Sequence, residues 1–350
     1  MKKSLPKQKH VDIAVYDYNQ SYKYSTYWAG RKYEHLAEVN AIKALLAKAG
    51  AETCKFDILI DIGAGFGRLF SVYAPYTKNV ILGDYSLKEL KEATTRLQNM
   101  SKSLQTNVFF VGLNAYFMPF KRSVFDMAIS VRVMHHIIDI KRFLHEVYRI
   151  LRPGGYFILE VANKNHIKAI LRALWCKDKK FFRLKRIKQK HRPQQSQGIT
   201  SVQQGYIFYN YNVNYLLEIA QKRGFTVIAA RQVSILRHPL LKKFLPVKIM
   251  TWLDRLYQWA SQILNKRGIY LTPSVFVLLH KPAKPGAEQK VSARKMFLET
   301  GQIINLLQCP NHRKPLTMLK NAVSCPKGDH YKKIGPIIDL RFPPVESIIS

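Results

Sequence analysis

Residues 58–67 read Ile-Leu-Ile-Asp-Ile-Gly-Ala-Gly-Phe-Gly, an apolar run that passes directly into a glycine-rich turn. A short apolar run of this kind is typical of a buried strand. Glycines that follow a first strand let the backbone approach a ligand where any Cβ would clash. The helix expected next would offer free N–H groups at its start. The stretch therefore predicts a strand, a ligand-binding turn and a helix of an α/β domain.

Strand and helix patterns alternate along the chain from this stretch onward. The strand candidates are 58–62, 80–83, 108–111, 125–131, 156–162, 224–233 and 275–280. The helical stretches between the first five strands lie near 67–75, 87–99 and 138–151. Such alternation predicts a parallel sheet covered by helices on both faces.

The polar residues around the glycine turn indicate which ligand it would hold. Asp84 ends the second strand, nineteen residues after Gly65, where a carboxylate can accept hydrogen bonds from two ribose hydroxyls. The dinucleotide fingerprint needs a third glycine where this chain has Arg68. Asp61, directly before the turn, would repel a pyrophosphate but suits a ligand with an ammonium and a sulfonium. S-adenosylmethionine has both groups and no phosphate. The alternative is a structural turn with no ligand.

Several further short motifs complete a resemblance to a known family. They are Asp61-Ile-Gly-Ala-Gly-Phe-Gly67, Asp84-Tyr-Ser86, Asn114-Ala115, Pro119-Phe120, Phe125-Asp126, His135-His136 and Leu151-Arg-Pro-Gly-Gly155. With them the chain resembles the class I S-adenosylmethionine-dependent methyltransferases, closely over about 55–162 and loosely over 20–280. Within that family it is similar to the group of quinone-biosynthesis C-methyltransferases and small-molecule methyltransferases. The resemblance implies a Rossmann-like sheet that binds S-adenosylmethionine.

The resemblance also assigns cofactor-binding roles to individual residues. The cofactor-binding set it implies is Asp61, Gly63, Ala64, Gly65, Gly67, Asp84, Tyr85, Ser86, Asn114, Ala115 and Arg132. Asp61 and the glycines would hold the methionine part, and Asp84 the ribose. Asn114 would lie near the adenine, although the family usually has aspartate at that position.

Methyl transfer is a displacement at a carbon bonded to sulfonium, so alignment of donor and acceptor dominates the catalysis. A general base is needed only if the acceptor must first lose a proton. His136 is the candidate base, because an imidazole with a near-neutral pKa could take that proton. The alternative is that His135 and His136 cap the turn or pack against the core.

Residues 1–50 predict an N-terminal aromatic and helical lid, with a helix from Tyr33 to Lys48. Tyr24, Tyr27 and Trp28 would fold over the cofactor, where aromatic faces attract a cation. Packing of the lid against the domain is an equally good interpretation. Arg31 could meet the methionine carboxylate.

The charge balance is strongly basic, with 57 Lys and Arg against 22 Asp and Glu, a formal charge of +35. Such an excess attracts nucleic acid, anionic lipid or acidic substrates, unless it reflects a proteome that is basic throughout. The four cysteines do not suggest a disulfide framework, and no apolar run of membrane-spanning length is present. A cytoplasmic protein is expected, or one associated with a membrane surface.

Two segments of the domain at 51–280 are candidates for the contact with an anionic partner. The basic insert 164–205 carries twelve Lys or Arg and a single acidic residue over 164–192. The stretch 244–264 predicts an amphipathic helix with Trp252 and Trp259. Basic residues with aromatics suit either RNA or anionic lipid. The alternatives are a solvated loop for the insert and a cap over the substrate pocket for the helix.

The chain ends in a linker at 281–299 and a separate small β unit at 300–350. Two short pairs, Cys309 with His312 and Cys325 with His330, offer four ligands of the kind that hold structural zinc. The unit resembles the zinc-ribbon-like activator subunit of tRNA and rRNA methyltransferases, although that family often has cysteines where the two histidines stand. The alternative is a β-hairpin unit that packs without metal.

These observations predict a methyltransferase that acts on a small-molecule or lipid-like acceptor. RNA is the alternative acceptor, favoured by the charge and by the C-terminal unit. A non-catalytic scaffold that binds the cofactor is a third hypothesis, and the intact glycine turn with Asp84 argues against it.

Overall fold

A continuous sheet of eleven strands organises the part of the chain that the computed structural model describes, which is residues 24–190, 207–283 and 300–342. The strands are β1 (Phe56–Ile62), β2 (Thr77–Asp84), β3 (Asn107–Gly112), β4 (Phe125–Ser130), β5 (Leu151–Ala162), β6 (Arg186–Lys190), β7 (Ile207–Tyr211), β8 (Thr226–Val233), β9 (Ser274–His280), β10 (Thr317–Met318), β11 (Ala322–Ser324), β12 (His330–Ile334) and β13 (Ile337–Asp339). β6 and β7 form a separate two-stranded sheet.

The strand order in the main sheet is β10-β11-β12-β13-β3-β2-β1-β4-β5-β9-β8. β1 to β5 are mutually parallel, and β9 runs antiparallel between β5 and β8. The chain direction across the sheet reverses at β1, since β2 pairs on one side of it and β4 on the other. Ligands of open α/β sheets bind at such a switch point, outside the carboxyl ends of the strands.

Helices cover both faces of this sheet. The helices of the described residues are α1 (Tyr24–Tyr27), α2 (Lys32–Lys48), α3 (Phe70–Tyr73), α4 (Leu87–Ser103), α5 (Ile140–Ile150), α6 (Ile167–Trp175), α7 (Lys179–Arg183), α8 (Val213–Arg223), α9 (Pro239–Phe244), α10 (Val247–Ala260) and α11 (Gln262–Lys266). Side chains alternate across a strand, so Ile58 and Ile60 of β1 enter one apolar cluster and Leu59 enters the other. The predicted Rossmann-like α/β sheet with helices on both faces is confirmed.

Two predicted helices differ in the structure. The stretch near 67–75 contains only the four residues of α3, followed by a 3-10 turn at Ala74–Tyr76 that includes Pro75. The predicted helix 244–264 is divided into α9, α10 and α11, with Pro246 at the boundary between the first two. Proline lacks a backbone N–H and cannot continue a helix from the preceding turn.

The C-terminal unit does not stand apart from the domain, as its composition suggested, but extends the main sheet. β13 pairs in parallel with β3, and the Leu340 N–H donates to the Gly112 carbonyl over 2.8 Å. The Gln308 N–H also donates to the Pro119 carbonyl. Ile337 and Leu340 are buried and belong to the two apolar clusters of the main sheet, so the C-terminal unit shares the core of the domain.

Some predicted features lie outside the described residues. They are the aromatic residues before Tyr24, the part of the basic insert from 191 to 205, most of the linker, and the chain after Phe342. Within the described ranges, no helix combines the length and apolar character that crossing a bilayer requires.

Candidate active site

The glycine turn after β1 has a backbone that other residues would not adopt easily. Gly63 has φ +78°, and a Cβ there would lie 2.1 Å from the Val133 Cγ2 atom. Gly67 has φ +72°, and its Cβ would lie 2.7 Å from the Leu97 Cδ1 atom. The first contact is with the turn after β4 and the second with α4. The two glycines therefore let the turn pack closely between neighbouring elements at the switch point.

Asp84 at the end of β2 fixes the turn from the side. Its carboxylate accepts hydrogen bonds from the Gly65 N–H at 2.7 Å and from the Ser86 N–H at 2.8 Å. The Ser86 hydroxyl caps α4 by accepting from the Glu89 N–H. Each carboxylate oxygen has a second lone pair, and Asp84 is partly exposed. The carboxylate can therefore also accept hydrogen bonds from ligand hydroxyls.

Asp61 lies beneath the turn and is 3% exposed. Its carboxyl accepts a hydrogen bond from the Tyr73 hydroxyl over 2.6 Å. Burial raises the pKa of Asp61 to about 7, against the opposing effect of that hydrogen bond. A carboxyl with this pKa would be ionised by a cationic ligand group placed beside it.

The donor set fits the cofactor inferred from the sequence. A buried acid that a cation would ionise suits the ammonium and sulfonium of S-adenosylmethionine, and Asp84 suits its ribose hydroxyls. Gly63, Gly65 and Gly67 all have positive φ, so the backbone between the two acids adopts a turn that favours glycine.

Arg132 binds an acidic side chain of α2, and its predicted contact with the cofactor stays a prediction. Its guanidinium donates to the Glu38 carboxylate at 2.6 and 2.9 Å. Arg68 donates to the other oxygen of the same carboxylate at 2.5 Å. Burial would raise the pKa of Glu38, but the two guanidiniums lower it below its usual value. Glu38 of α2 thus binds one arginine from the turn after β1 and one from the turn after β4. These two turns form the two sides of the crevice.

The sequence interpretation missed Glu38, although a signal was present. Glu34 and Glu38 are one helical turn apart on the side of α2 that carries Ala41 and Leu45, and all four are buried. Charged residues are seldom fully buried without a partner. An acid on the apolar side of a predicted helix therefore indicates a buried ion pair.

The predicted lid residues contact these same arginines. The Trp28 ring lies 3.5 Å from the Arg68 guanidinium carbon, and Arg132 lies 4.8 Å from that ring. Arg31 lies 4.0 Å from the Tyr27 ring. The side chain of Tyr24 is outside the described set. Tyr27 and Trp28 therefore pack on the guanidiniums that border the crevice, and cofactor contacts of the lid stay a prediction.

The segment that contains the glycine turn is similar in sequence to known proteins. Residues 60–159 match the family model of the methyltransferase domain. The ubiquinone/menaquinone biosynthesis C-methyltransferase UbiE of Pseudoalteromonas translucida is 33% identical over 112 residues, covering 31% of this chain and 44% of that protein. The 24-methylenesterol C-methyltransferase 2 of Oryza sativa is 26% identical over 172 residues, covering 46% of each.

Residues 60–159 carry a methyltransferase domain. The chain spans less than half the length of the curated relatives named above. Among solved structures, a S-adenosylmethionine-dependent methyltransferase of Thermotoga maritima, described as a possible histamine N-methyltransferase, is similar at a TM-score of 0.43 and 18% identity, covering 74% of this chain and 94% of that one. S-adenosylmethionine is the cofactor expected of a class I methyltransferase domain.

The side of the methyltransferase crevice beyond β3 is bordered by the C-terminal unit. Asn114 is buried, and its side-chain amide donates to the Phe342 carbonyl at 3.0 Å. Its amide oxygen accepts from the Tyr116 N–H at 3.0 Å. Arg341 donates to the Tyr85 carbonyl at 3.2 Å. Asn114 is therefore a link to the C-terminal unit, and its predicted contact with adenine, like that of Ala115 beside it, stays a prediction.

His136 occupies the turn after β4 of the methyltransferase domain. Its ring lies 4.1 Å from that of His135 and 5.0 Å from that of Phe208. Loss of hydration lowers the pKa of His136 to about 3. An imidazole with that pKa is a weak base at neutral pH. The ring contacts and the lowered pKa together favour the packing role of His136 over the catalytic one.

The C-terminal unit brings four potential metal ligands together. They are Cys309, His312, Cys325 and Asp329, whose ligand atoms all lie within 4.8 Å of one another. The predicted set had His330 in the place of Asp329, and this needs correction. His330 begins β12 and is exposed, whereas Asp329 precedes the strand and accepts from the Tyr331 hydroxyl at 3.2 Å. Successive strand residues point to opposite faces, so the Cys-x4-His spacing overshoots the ligand by one residue.

Proposed function

We propose that the chain transfers a methyl group from S-adenosylmethionine to a small-molecule or lipid-like acceptor. The observation that carries the proposal is the glycine turn held by Asp84, with the buried acid Asp61 beneath it, at the switch point of the methyltransferase domain. When bound, S-adenosylmethionine supplies a methyl group activated by sulfonium. Asp61 and Asp84 would hold its charged and hydroxyl groups. Tyr27 and Trp28 would help to exclude water, which favours alignment of the acceptor.

Two facts support the lipid-like acceptor. The relatives named above are described as methyltransferases of ubiquinone/menaquinone biosynthesis and of 24-methylenesterol. In addition, the turn after β4 presents His135 and His136 beside Phe208, a largely aromatic surface. RNA is the second candidate acceptor, favoured by the exposed cationic side chains of α6 and α7, of which Lys179, Lys180 and Arg183 are examples.

Cofactor binding and acceptor class can be tested together. Asp84→Ala should weaken S-adenosylmethionine binding about 10- to 100-fold in calorimetry, because hydrogen bonds to a charged group are lost. Asp57→Ala is the matched control. Asp57 lies near the start of β1, at the end of that strand away from the glycine turn, so this variant should leave the affinity unchanged. Tritium-labelled S-adenosylmethionine should transfer its label to an organic-phase product from a total lipid extract. Label in total tRNA instead would support the RNA acceptor, and equal affinity in both variants would contradict the ribose assignment.

We also propose that the C-terminal cluster binds structural zinc. His312 Nδ1 lies 3.8 Å from the Cys309 sulfur, 3.7 Å from the Cys325 sulfur and 2.9 Å from Asp329 Oδ2. Tetrahedral zinc at ordinary bond lengths separates its ligands by about 3.3–3.8 Å, so small shifts of the side chains would admit the ion.

Elemental analysis of the purified chain should find about one zinc per molecule. Asp329→Ala and Cys325→Ser should each lose most of it, because each removes one of four ligands. His330→Ala and Cys176→Ser are the matched controls, and both should retain it. Zinc loss in His330→Ala with retention in Asp329→Ala would restore the ligand set predicted from the sequence.

A further inference from the structure

Helix α10 buries polar residues and exposes apolar ones. Its inward side carries Met250, Asp254 and Gln258. The Tyr33 hydroxyl of α2 donates to Asp254 at 2.8 Å, and the Gln258 amide donates to the Ala37 carbonyl at 3.2 Å. The contact between α10 and the domain thus depends on hydrogen bonds as well as on apolar packing.

The opposite side of α10 is apolar and in contact with solvent. Trp252 is 62% exposed and Trp259 is 70% exposed, with Leu256 between them. The flanking helices continue this surface with Phe244 of α9 and Ile263 of α11, both exposed. A surface helix of a soluble domain normally turns its apolar side inward. Large exposed apolar patches mark sites of interaction with a protein or a membrane.

Helix α6 adds a second exposed apolar surface beside the first. Leu171 and Leu174 are exposed, and Trp175 is 89% exposed. The start of α6 lies next to the chain that enters α9, because the Lys168 ammonium donates to the Arg237 carbonyl at 3.4 Å. We call the exposed side chains of α6 and of α9 to α11 the outer face.

The charges of the outer face have a single sign. Its exposed cations include Lys243, Lys248, Arg255, Lys266 and Arg267. Residues 237–269 contain a single acidic residue, Asp254, which is buried. The outer face therefore combines tryptophan and aliphatic side chains with cations and, within that range, no exposed carboxylate.

We propose that the outer face binds the surface of an anionic lipid bilayer. Tryptophan, phenylalanine and leucine beside lysine and arginine are the composition of helices that lie in the membrane interface, and anionic headgroups attract the cations. A second copy of this chain would oppose cation to cation. RNA would use the cations and the indole rings, but it would leave Leu171, Leu256 and Ile263 in water.

The position of the outer face relates it to the active site. α6 follows the carboxyl end of β5. The glycine turn lies at the carboxyl end of β1, on the same side of the sheet. α10 packs on α2, whose Glu38 binds Arg68 and Arg132 at the crevice. Docking by the outer face would thus bring the crevice close to the bilayer, where a lipid-like acceptor would be found. The docking itself requires no methyl transfer, so its test is independent of the proposed function.

Co-sedimentation of the full chain with vesicles tests the proposal. The chain should sediment with vesicles that contain phosphatidylglycerol, and far less with vesicles of phosphatidylcholine alone. Replacing both indoles, by Trp252→Ser and Trp259→Ser together, should weaken binding at least about tenfold, because two large apolar side chains are lost from the interface. The double charge reversal Lys248→Glu with Arg255→Glu should weaken binding by a similar factor and abolish its dependence on phosphatidylglycerol.

Matched controls come from the C-terminal unit, where Leu319, Lys332 and Lys333 are also exposed. Leu319→Ser, and Lys332→Glu with Lys333→Glu, should leave vesicle binding unchanged. All variants should melt at the wild-type temperature, because every substituted side chain is exposed. The proposal is overturned if the chain does not sediment with anionic vesicles, if the outer-face variants bind as well as the controls, or if the chain binds tRNA but not vesicles.

Discussion

Burial of the Asp61 carboxyl disfavours its ionised form. This opposes folding at neutral pH but suits the binding of a cationic ligand. Burial raises its pKa to about 7, so the folded chain binds this proton more tightly than the unfolded chain does. The stabilisation from the raised pKa is complete below the unfolded value near 4 and is lost as pH rises through 7. Asp61→Asn keeps an acceptor for the Tyr73 hydroxyl and removes this loss.

We therefore expect Asp61→Asn to stabilise the fold while weakening cofactor binding. The gain in unfolding free energy should be about 2–3 kcal/mol larger at pH 8 than at pH 5, and calorimetry should show S-adenosylmethionine affinity at least about tenfold lower. Asp57→Asn, at the other end of the same strand, should leave the affinity for S-adenosylmethionine unchanged. A stability gain that is equal at both pH values would show that Asp61 does not titrate as proposed.

Individual residues were predictable where local spacing determines their position. The glycine turn and Asp84 follow strands directly, and the structure brings them together through the Gly65 N–H. Arg132 was predictable as a residue of the crevice turn but not as the partner of Glu38, which is 94 positions away. A contact between distant segments leaves no spacing pattern, and a one-residue choice such as Asp329 over His330 depends on where a strand begins.

At the scale of elements, periodicity located α2, α10 and the main strands but not the direction in which α10 faces. An apolar stripe predicts which side chains share a face, and burial of that face is the usual outcome. In α10 the side with Asp254 and Gln258 is buried instead, because Tyr33 and the Ala37 carbonyl offer hydrogen bonds there. The periodicity of α10 alone cannot reveal these hydrogen-bond partners, because α2 supplies them.

At the scale of the whole molecule, the C-terminal unit completes the edge of the main sheet. The sequence predicted a small β unit after a linker, and both the turns that carry Cys309 and Cys325 and the short strands are present. Its attachment was not predictable, because parallel pairing of β13 with β3 joins residues more than two hundred positions apart. A salt bridge between Arg313 and the buried Glu146 of α5, at 3.0 Å, strengthens the same contact.

Ending the chain at Ala283 should therefore destabilise the methyltransferase domain rather than release an independent unit. The truncation would expose the backbone groups of β3 and the apolar surface now covered by Ile337 and Leu340, and an open strand edge promotes association. We expect the melting temperature to fall by at least about 5 °C and light scattering to show aggregates. Arg341→Ala in the full chain removes the contact with Tyr85 but keeps β13, and should leave both readouts at wild-type values. A truncated chain that stays monodisperse and melts like the full chain would mean that the edge of β3 is stable without its C-terminal partner.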